Sequence, residues 1–445
     1  MIKKVLIANR GEIAERVIRA CKELNIKTVA IYSEADQELN YVKMADESYL
    51  LGPAPVNESY LHVNKIIEIA KKAKVDALHP GYGFLSENAD FVDRCEREDI
   101  IFIGPSSEII KKMGDKVASR EIMKNINVPI IPGSEGAVTT EKEALKTAQK
   151  LGYPVMVKAS AGGGGIGMEI VNNDEELLDS FTNNSKRAEA FFGSGVMFLE
   201  KLIENARHIE FQIMADQFGH VVHLFDRECS IQRRNQKVLE EAPSSFLSED
   251  TRKKMGEVAV LIAESLQYRS VGTVEFLVDQ EENFYFLEMN TRVQVEHPIT
   301  EEITKIDIVK QQIHIAEGKE LGLKQKDITM NGHSIEVRIY AEDPKTFFPS
   351  PGNISSFNLP KGEGIRHELT YQDEDKVTHF YDPMIGKLIV TANTRGEAIR
   401  LLKQTLEDYI IEGIKTNIPL LRHIVTDEEF IKGNTLTNYI EKHYL

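Results

Sequence analysis

The run Glu288-Met-Asn-Thr-Arg-Val-Gln-Val-Glu-His-Pro-Ile-Thr300 gathers two carboxylates, an amide, a guanidinium and a possible metal-ligating side chain into one short extended segment. The preceding stretches Thr273-Val-Glu-Phe-Leu-Val and Phe284-Tyr-Phe-Leu-Glu288 are apolar, β-branched or aromatic, with acidic turn residues between them, which is the pattern of two strands. Paired as an antiparallel hairpin about Glu281 and Glu282, they set Glu275 opposite Glu288. Strand alternation then puts Glu288, Asn290 and Arg292 on one face. Two carboxylates and an amide oxygen aimed at one point suit a hard divalent cation. Without a cation between them, two acids that close repel. The bland alternative is a hairpin of solvated charges, and the apolar neighbours, which imply a half-buried face, weigh against it.

A second chemical segment is Lys158-Ala-Ser-Ala-Gly-Gly-Gly-Gly-Ile-Gly167, which follows the strand pattern Pro154–Lys158. It contains G-x-G-x-x-G at Gly162, Gly164 and Gly167, a weak signal alone. It is not a Walker loop, because no Gly-Lys-Ser/Thr follows. Consecutive glycines cost backbone entropy on ordering. Two reasons would justify that cost: bare N–H groups approaching anionic oxygens closely, or a mobile lid over a substrate. A plain linker fits poorly, because strand pattern resumes at once with Met168-Glu-Ile-Val171. Lys158 and Lys116 could each supply a point charge to a phosphate. Singly, either reads as solvated surface.

The elements that must position these residues follow from length and pattern. A chain of 445 residues is too long for one ordinary core and suggests about two or three domains. Composition is globular, 42% hydrophobic and 28% charged. No apolar stretch reaches membrane-spanning length, and Met1-Ile-Lys-Lys-Val-Leu-Ile-Ala turns directly into a strand instead of a signal peptide. The expectation is a cytoplasmic protein with no membrane partner. A net charge of −16 argues against nucleic acid. Cys21, Cys95 and Cys229 are an odd, widely spaced set that favours neither disulfides nor zinc; Cys229, close to polar site candidates, reads as a packed thiol in preference to a sensitive one.

The first segment alternates strands (Lys4–Ala8, Lys27–Tyr32, Val75–His79, Ile100–Ile103) with helices (Ile13–Leu24, Val63–Ala73), which implies a doubly wound parallel sheet. Glu34 mimics the ribose-binding acid of dinucleotide folds. The first turn, however, holds only Gly11, so the segment is Rossmann-like in shape without a bound dinucleotide. A break falls near Gly104-Pro105, a linker at Asn127–Gly133, and from Gly332 short strands with Pro and Gly turns precede a helix over Arg395–Tyr409. The expected fold is α/β and α+β multidomain: a Rossmann-like unit over 1–114, a second unit over 115–330, and a C-terminal α+β unit over 331–445.

A lysine, a glycine-rich lid, and a pair of glutamates on adjacent strands with Asn two residues on resemble the ATP-grasp enzymes, and Glu288 through Pro298 resembles the biotin carboxylases among them. Three further stretches agree: Ala8-Asn-Arg-Gly-Glu-Ile-Ala14, His79-Pro-Gly-Tyr-Gly-Phe-Leu-Ser-Glu-Asn88 and Arg227-Glu-Cys-Ser-Ile-Gln-Arg-Arg-Asn-Gln-Lys237. The resemblance covers essentially the whole chain. It implies an ATP-grasp core over 115–330 with a mobile lid at about 132–203. It also implies an enzyme that uses MgATP (or Mn2+) and bicarbonate to make carboxyphosphate and then carboxylates N1 of biotin. On that resemblance Lys116, Lys158 and the backbone of Gly164 and Gly165 hold the ATP phosphates. Glu200, Lys201, Leu202 and Ile203 form the adenine hinge, and His208, Gln232, Asn235 and Leu277 line the nucleotide pocket. Glu275, Glu288 and Asn290 hold the metal. Bicarbonate meets Lys237, Arg292, Gln294 and the Val295 backbone, where a guanidinium fork matches a small planar oxyanion. Glu296 is the general base, and Arg338 stabilises the biotin enolate. His297 supports the turn before Pro298.

Three positions depart from the family pattern. Ile166 and Glu169 stand where basic lid residues are usual, which predicts a missing phosphate or lid contact. Asn235 stands in a position that often carries a ribose-contacting histidine. No lysine lies between two methionines, the setting of a biotinyl lysine. The implied protein is therefore the biotin carboxylase component alone, a homodimer serving a separate biotin carboxyl carrier protein and a carboxyltransferase, with acetyl-CoA carboxylase the implied whole. The rival readings are another carboxylate-activating ATP-grasp ligase, an ATP-binding regulatory protein that has lost its chemistry, and a nicotinamide oxidoreductase.

Overall fold

The computed structural model describes residues 1–159, 168–192, 194–234 and 236–444. The N-terminal unit is a five-stranded sheet with spatial order Glu47–Gly52, Lys27–Ser33, Lys4–Ile7, Ala77–His79, Ile101–Phe102. Every pair is parallel, and helices Gly11–Glu23 and Val63–Ala73 match the expected periodicity. The edge strand Glu47–Gly52 was not legible, because only Leu51 of its side chains is buried and its sequence carries no apolar run. At the first turn Gly11 has φ +65°, and a Cβ there would lie 2.9 Å from Thr370 Oγ1. That hydroxyl accepts the Glu12 N–H at 3.1 Å. The C-terminal unit thus fills the helix N-terminus that a dinucleotide fold keeps for pyrophosphate.

The middle of the molecule is an eight-stranded sheet. Its order is Phe284–Asn290, Ser270–Val278, Arg207–Ala215, Val221–Arg233, Gln236–Ala242, His333–Tyr340, Met384–Ala392, Ile365–Leu369. All its pairs are antiparallel. Gln236–Ala242 pairs with His333–Tyr340, so the C-terminal segment continues the central sheet. Alternation gives each strand two faces. Ile209, Phe211, Ile213, Val274, Phe276 and Val278 pack against helix Glu249–Ser265 in one core. His208, Glu210, Gln212, Thr273, Glu275 and Leu277 take the opposite face.

The lid is a separate three-stranded antiparallel sheet, Met168–Val171, Val155–Ala159 and Met197–Lys201. Helices Glu141–Leu151 and Asp174–Phe192 back it over a core that includes Val155, Val157, Val171, Leu177, Met197 and Leu199. A reciprocal capping box of Thr140 and Glu143 starts the first helix. The Asn127–Gly133 linker is pinned at both ends: Phe286 N donates to Pro129 O at 2.7 Å, and Ser134 N donates to Leu199 O at 2.8 Å. Among the described residues no helix is long and apolar enough to cross a membrane.

Candidate active site

The hairpin forms as expected, with Glu275 directly opposite Glu288, but the route differs. The turn is centred on Glu281, tied by Asp279 to the N–H groups of Glu281 and Asn283. A bulge between the 275/288 and 276/286 pairs then restores the register. The strand ends at Asn290. Arg292 lies beyond it but returns to the same cluster, its Nη2 donating to Asn290 Oδ1 at 2.8 Å.

Glu275 is buried and saturated. Its Oε1 accepts from Gln294 Nε2 at 2.7 Å, Asn290 Nδ2 at 2.8 Å and Lys237 Nζ at 3.0 Å, and its Oε2 lies 3.0 Å from His208 Nε2. Burial alone would raise its pKa, but Lys237 and His208 hold it well below the ordinary value. Glu288 keeps a solvent-accessible surface, yet the protein around its carboxylate partly desolvates it, and this and the facing Glu275 carboxylate raise its pKa. A carboxylate raised by a facing carboxylate is where a divalent cation relieves repulsion, and the Glu275, Glu288 and Asn290 oxygens are hard donors. The set fits magnesium. His208 is raised, Glu275 outweighing burial, and its Nδ1 lies 3.1 Å from Gln232 Nε2. Leu277, on the same face as Glu275, is in register with His208.

Lys237 is the hub. Its Nζ contacts Glu210 Oε2 and Glu296 Oε1 at 2.6 Å each, besides Glu275, and these three acids raise its pKa well above the ordinary value against the pull of burial. Glu296 Oε2 lies 3.0 Å from Arg338 Nη2. Burial would raise Glu296, yet Lys237, Arg338 and Arg227 keep it far below the carboxylate range and hence ionised. Gln294 is fixed at both ends, its Oε1 accepting from Arg227 Nη2 at 2.7 Å. The Val295 carbonyl takes Lys387 Nζ at 2.7 Å. His297 opens helix His297–Thr304, its Nδ1 2.7 Å from Gln294 O, which is the turn-supporting place expected for it.

On the lid, Glu200 is the counter-ion of both Lys158 and Arg120, the latter at 2.7 Å. Lys158 pairs in register with Phe198 and Met168. Lys201 turns away, its Nζ spent on the Gly152 and Tyr153 carbonyls at 2.8 and 3.1 Å, which leaves only its backbone for the hinge expected there. Leu202 N donates to Pro154 O at 3.3 Å, and Leu202 and Ile203 are partly buried. Lys116 begins helix Lys116–Asn125, capped by Asp115. Among the described residues Lys116 has no ion-pair partner, and its enclosed setting and Lys158 lower its pKa. Glu169 faces the helix side of the lid sheet, accepting from Asn184 Nδ2 at 2.9 Å. The lost basic residue there leaves no gap on the Lys158 face. Gly164, Gly165, Ile166 and Asn235 lie outside the described residues.

Four site residues escaped sequence reasoning. Arg227 is fully buried and bonds Glu210, Gln212, Thr300, Thr273 and Gln294 together. Glu210 seats Lys237, and its only sequence signal was alternation with His208 and Gln212. Glu87 binds Arg292 Nε at 2.9 Å and Thr291 N at 3.0 Å. Glu240 binds Arg338 Nε at 2.6 Å. Cys229 is buried and its thiol pushed up, which makes it a packed cysteine.

A parallel-sheet unit, a small separate antiparallel sheet and a large antiparallel sheet carrying paired acids define an ATP-grasp enzyme. Residues 1–110 match the family described as biotin carboxylase, N-terminal domain; residues 115–324 match the carbamoyl-phosphate synthase L chain, ATP binding domain; residues 336–442 match the biotin carboxylase C-terminal domain. The chain is 60% identical over 443 residues to a biotin carboxylase of Halalkalibacterium halodurans, covering 100% of this chain and 98% of that one. It superimposes on the Campylobacter jejuni biotin carboxylase, solved as a beta-gamma-ATP complex, with TM-score 0.98 at 47% identity, over 100% and 99% of the two chains. A Hydrogenobacter thermophilus 2-oxoglutarate carboxylase biotin carboxylase domain, solved as a dimer with MgADP, ADP and bicarbonate, gives TM-score 0.97 at 50% identity, over 100% and 98%. The chain belongs to the biotin carboxylase family and is an ATP-dependent ligase.

Proposed function

We propose that the protein carboxylates N1 of biotin on a separate biotin carboxyl carrier protein. It would consume ATP and bicarbonate by way of carboxyphosphate and release ADP and phosphate. The observation that carries this reading is Glu296 held between Lys237 at 2.6 Å and Arg338 at 3.0 Å. One cation suits a bicarbonate oxygen and the other a biotin enolate, with an ionised base between them. When substrates draw Lys237 and Arg338 away, the cause of Glu296's low basicity weakens, and the carboxylate becomes a competent acceptor for the bicarbonate proton. Arg292, anchored by Glu87, and the Val295 N–H would orient the oxyanion, with Gln294 fixed beneath it.

Lys116 and Lys158 would meet the phosphates, and Gly164 and Gly165 would close over them. Glu200, Lys201, Leu202 and Ile203 would receive adenine, beside His208, Gln232, Leu277 and Asn235. Glu275, Glu288 and Asn290 would hold Mg2+ (or Mn2+), which when bound neutralises charge on the phosphates. Glu275 must then exchange donors for the ion. Solved relatives bound to beta-gamma-ATP, MgADP and bicarbonate support these assignments.

The reading extends to a cytoplasmic homodimer working with a carboxyltransferase, acetyl-CoA carboxylase being the proposed whole. The dimeric Hydrogenobacter relative supports the dimer. That relative also belongs to a different carboxylase, so the acyl partner is decided by the carrier the enzyme labels. The test is transfer of label from bicarbonate to biotin with ATP and magnesium. Biotin-stimulated ATP cleavage and labelled carboxybiotin are expected. Cleavage indifferent to biotin would favour another carboxylate-activating ligase.

A further inference from the structure

Behind Arg338 lies a pair of acids for which the proposed chemistry has no role. Glu336 and Glu240 are register partners on adjacent antiparallel strands, both 0% exposed. Cross-strand partners point to the same face with Cβ atoms about 4.5–5.5 Å apart. Arg338, two residues beyond Glu336, shares that face; its Nε donates to Glu240 Oε1 at 2.6 Å, and its Nη2 lies 2.5 Å from the same oxygen. Glu240 Oε2 and both oxygens of Glu336 have no hydrogen-bond partner among the described residues. The apolar cluster Ala242, Ile299, Ile303 and Ile389 encloses the pair, Ile389 being Glu336's partner on its other side. The charged groups acting on the pair are Lys387 from strand Met384–Ala392, Arg338, Lys237 from strand Gln236–Ala242, and Glu296 at the start of the helix above. Lys387 is itself engaged by Glu12 at 3.1 Å and the Val295 carbonyl. His297 is kept neutral, burial and Lys387 holding it well below its ordinary value.

Two adjacent carboxylates in such a setting cannot both stay ionised. We propose that Glu336 is a neutral acid that donates its O–H to Glu240 Oε2, and that this proton-sharing pair positions Arg338. Two of the three orphan oxygens on these register-paired residues are then joined in one hydrogen bond, and Glu240 keeps a single negative charge to orient the guanidinium. Burial raises both acids, in keeping with a retained proton. Were Glu336 ionised as well, a second charge would draw Arg338 toward the sheet and away from substrate. Glu336 is thus a positioning residue, and its role rests on the proposed biotin-facing function of Arg338.

The test reads the proton directly. Infrared spectra of substrate-free protein labelled with 13C-glutamate should contain a carboxylic-acid C=O band at neutral pH that Glu336→Gln removes. Gln mimics the neutral acid as donor, so Glu336→Gln should keep kcat/KM for biotin within about twofold, whereas Glu336→Leu, which leaves Glu240 Oε2 unpaired, should lower it about tenfold with the KM for ATP unchanged. A spectrum without the acid band, or one unchanged by Glu336→Gln, overturns the proposal, as does a Gln variant as impaired as Leu. If the band behaves as expected while neither variant alters the biotin-dependent rate, the positioning role is overturned. Failure of the biotin reading itself shows separately, as absence of biotin-stimulated cleavage in the unsubstituted enzyme.

Discussion

The Lys237 ammonium lies 2.6 Å from a carboxylate oxygen of Glu296; Glu296 is buried and Lys237 partly buried. Lys237 also touches Glu210 and Glu275. One cation therefore links the proposed metal-binding acid of the hairpin to the proposed base, so charge that arrives at one end is felt at the other. On the proposed reading, a substrate oxyanion that takes Lys237 would free Glu296 to accept a proton.

Lys116 should be dispensable for folding and costly for nucleotide binding. It has no ion-pair partner among the described residues, and its setting already disfavours its charge. Replacing it by Gln should leave the thermal midpoint unchanged or slightly higher. The KM for ATP should rise about tenfold or more, as expected for a lost charge-assisted contact to phosphate. Calorimetric titration with ATP and a thermal melt check both halves, and a destabilised variant with normal ATP affinity would count against the assignment.

Glu288 should behave oppositely with and without metal. Glu275 faces it and raises it, so Glu288→Gln removes repulsion in metal-free protein and should leave its stability equal or higher. The same variant should need at least about tenfold more magnesium for activity. Melting curves with and without magnesium, followed by a magnesium titration of activity, separate the two effects. An unchanged magnesium requirement would remove Glu288 from the metal site.

Acid stability should depend on Glu241. It accepts from His333 at 2.8 Å and Arg395 at 2.6 Å, and these overcome burial to lower its pKa from 4.5 to about 2. A depressed carboxylate contributes stability that is complete above its unfolded pKa and is lost as pH falls toward the folded one. That window runs from about pH 4.5 down to about 2, and the contribution is roughly 3 kcal/mol at neutral pH. Denaturant midpoints of the unsubstituted protein and Glu241→Gln should lie apart at pH 7, draw together below about pH 4.5 and meet only as pH nears about 2. Curves that stay parallel would contradict the linkage.

What could be read before the fold was known is what local pattern encodes. Alternation set Glu275 against Glu288, because a hairpin brings its own strands together. The helix Val63–Ala73 followed from its 3.6-residue period. Glu87 could not be found that way: it reaches Arg292 from another unit, 205 residues away in sequence. Arg227 and Glu210 sit on strands whose neighbours only the finished sheet decides. Continuity of the sheet through Gln236–Ala242 and His333–Tyr340 was equally hidden, since Pro and Gly turns in that stretch suggest a break. The roles given to Gln232 and Arg338 came from the family resemblance, because spacing alone reads both as ordinary strand residues.

The most direct test of the account is Glu296→Gln. The variant keeps the shape and hydrogen-bonding reach of the side chain but cannot take a proton. ATP affinity should stay within about twofold, while biotin-stimulated, bicarbonate-dependent ATP cleavage falls about 10²–10⁴-fold, the range for loss of a general base. A variant that cleaves ATP at close to the unsubstituted rate, with normal biotin stimulation, would contradict the claim that Glu296 receives the bicarbonate proton.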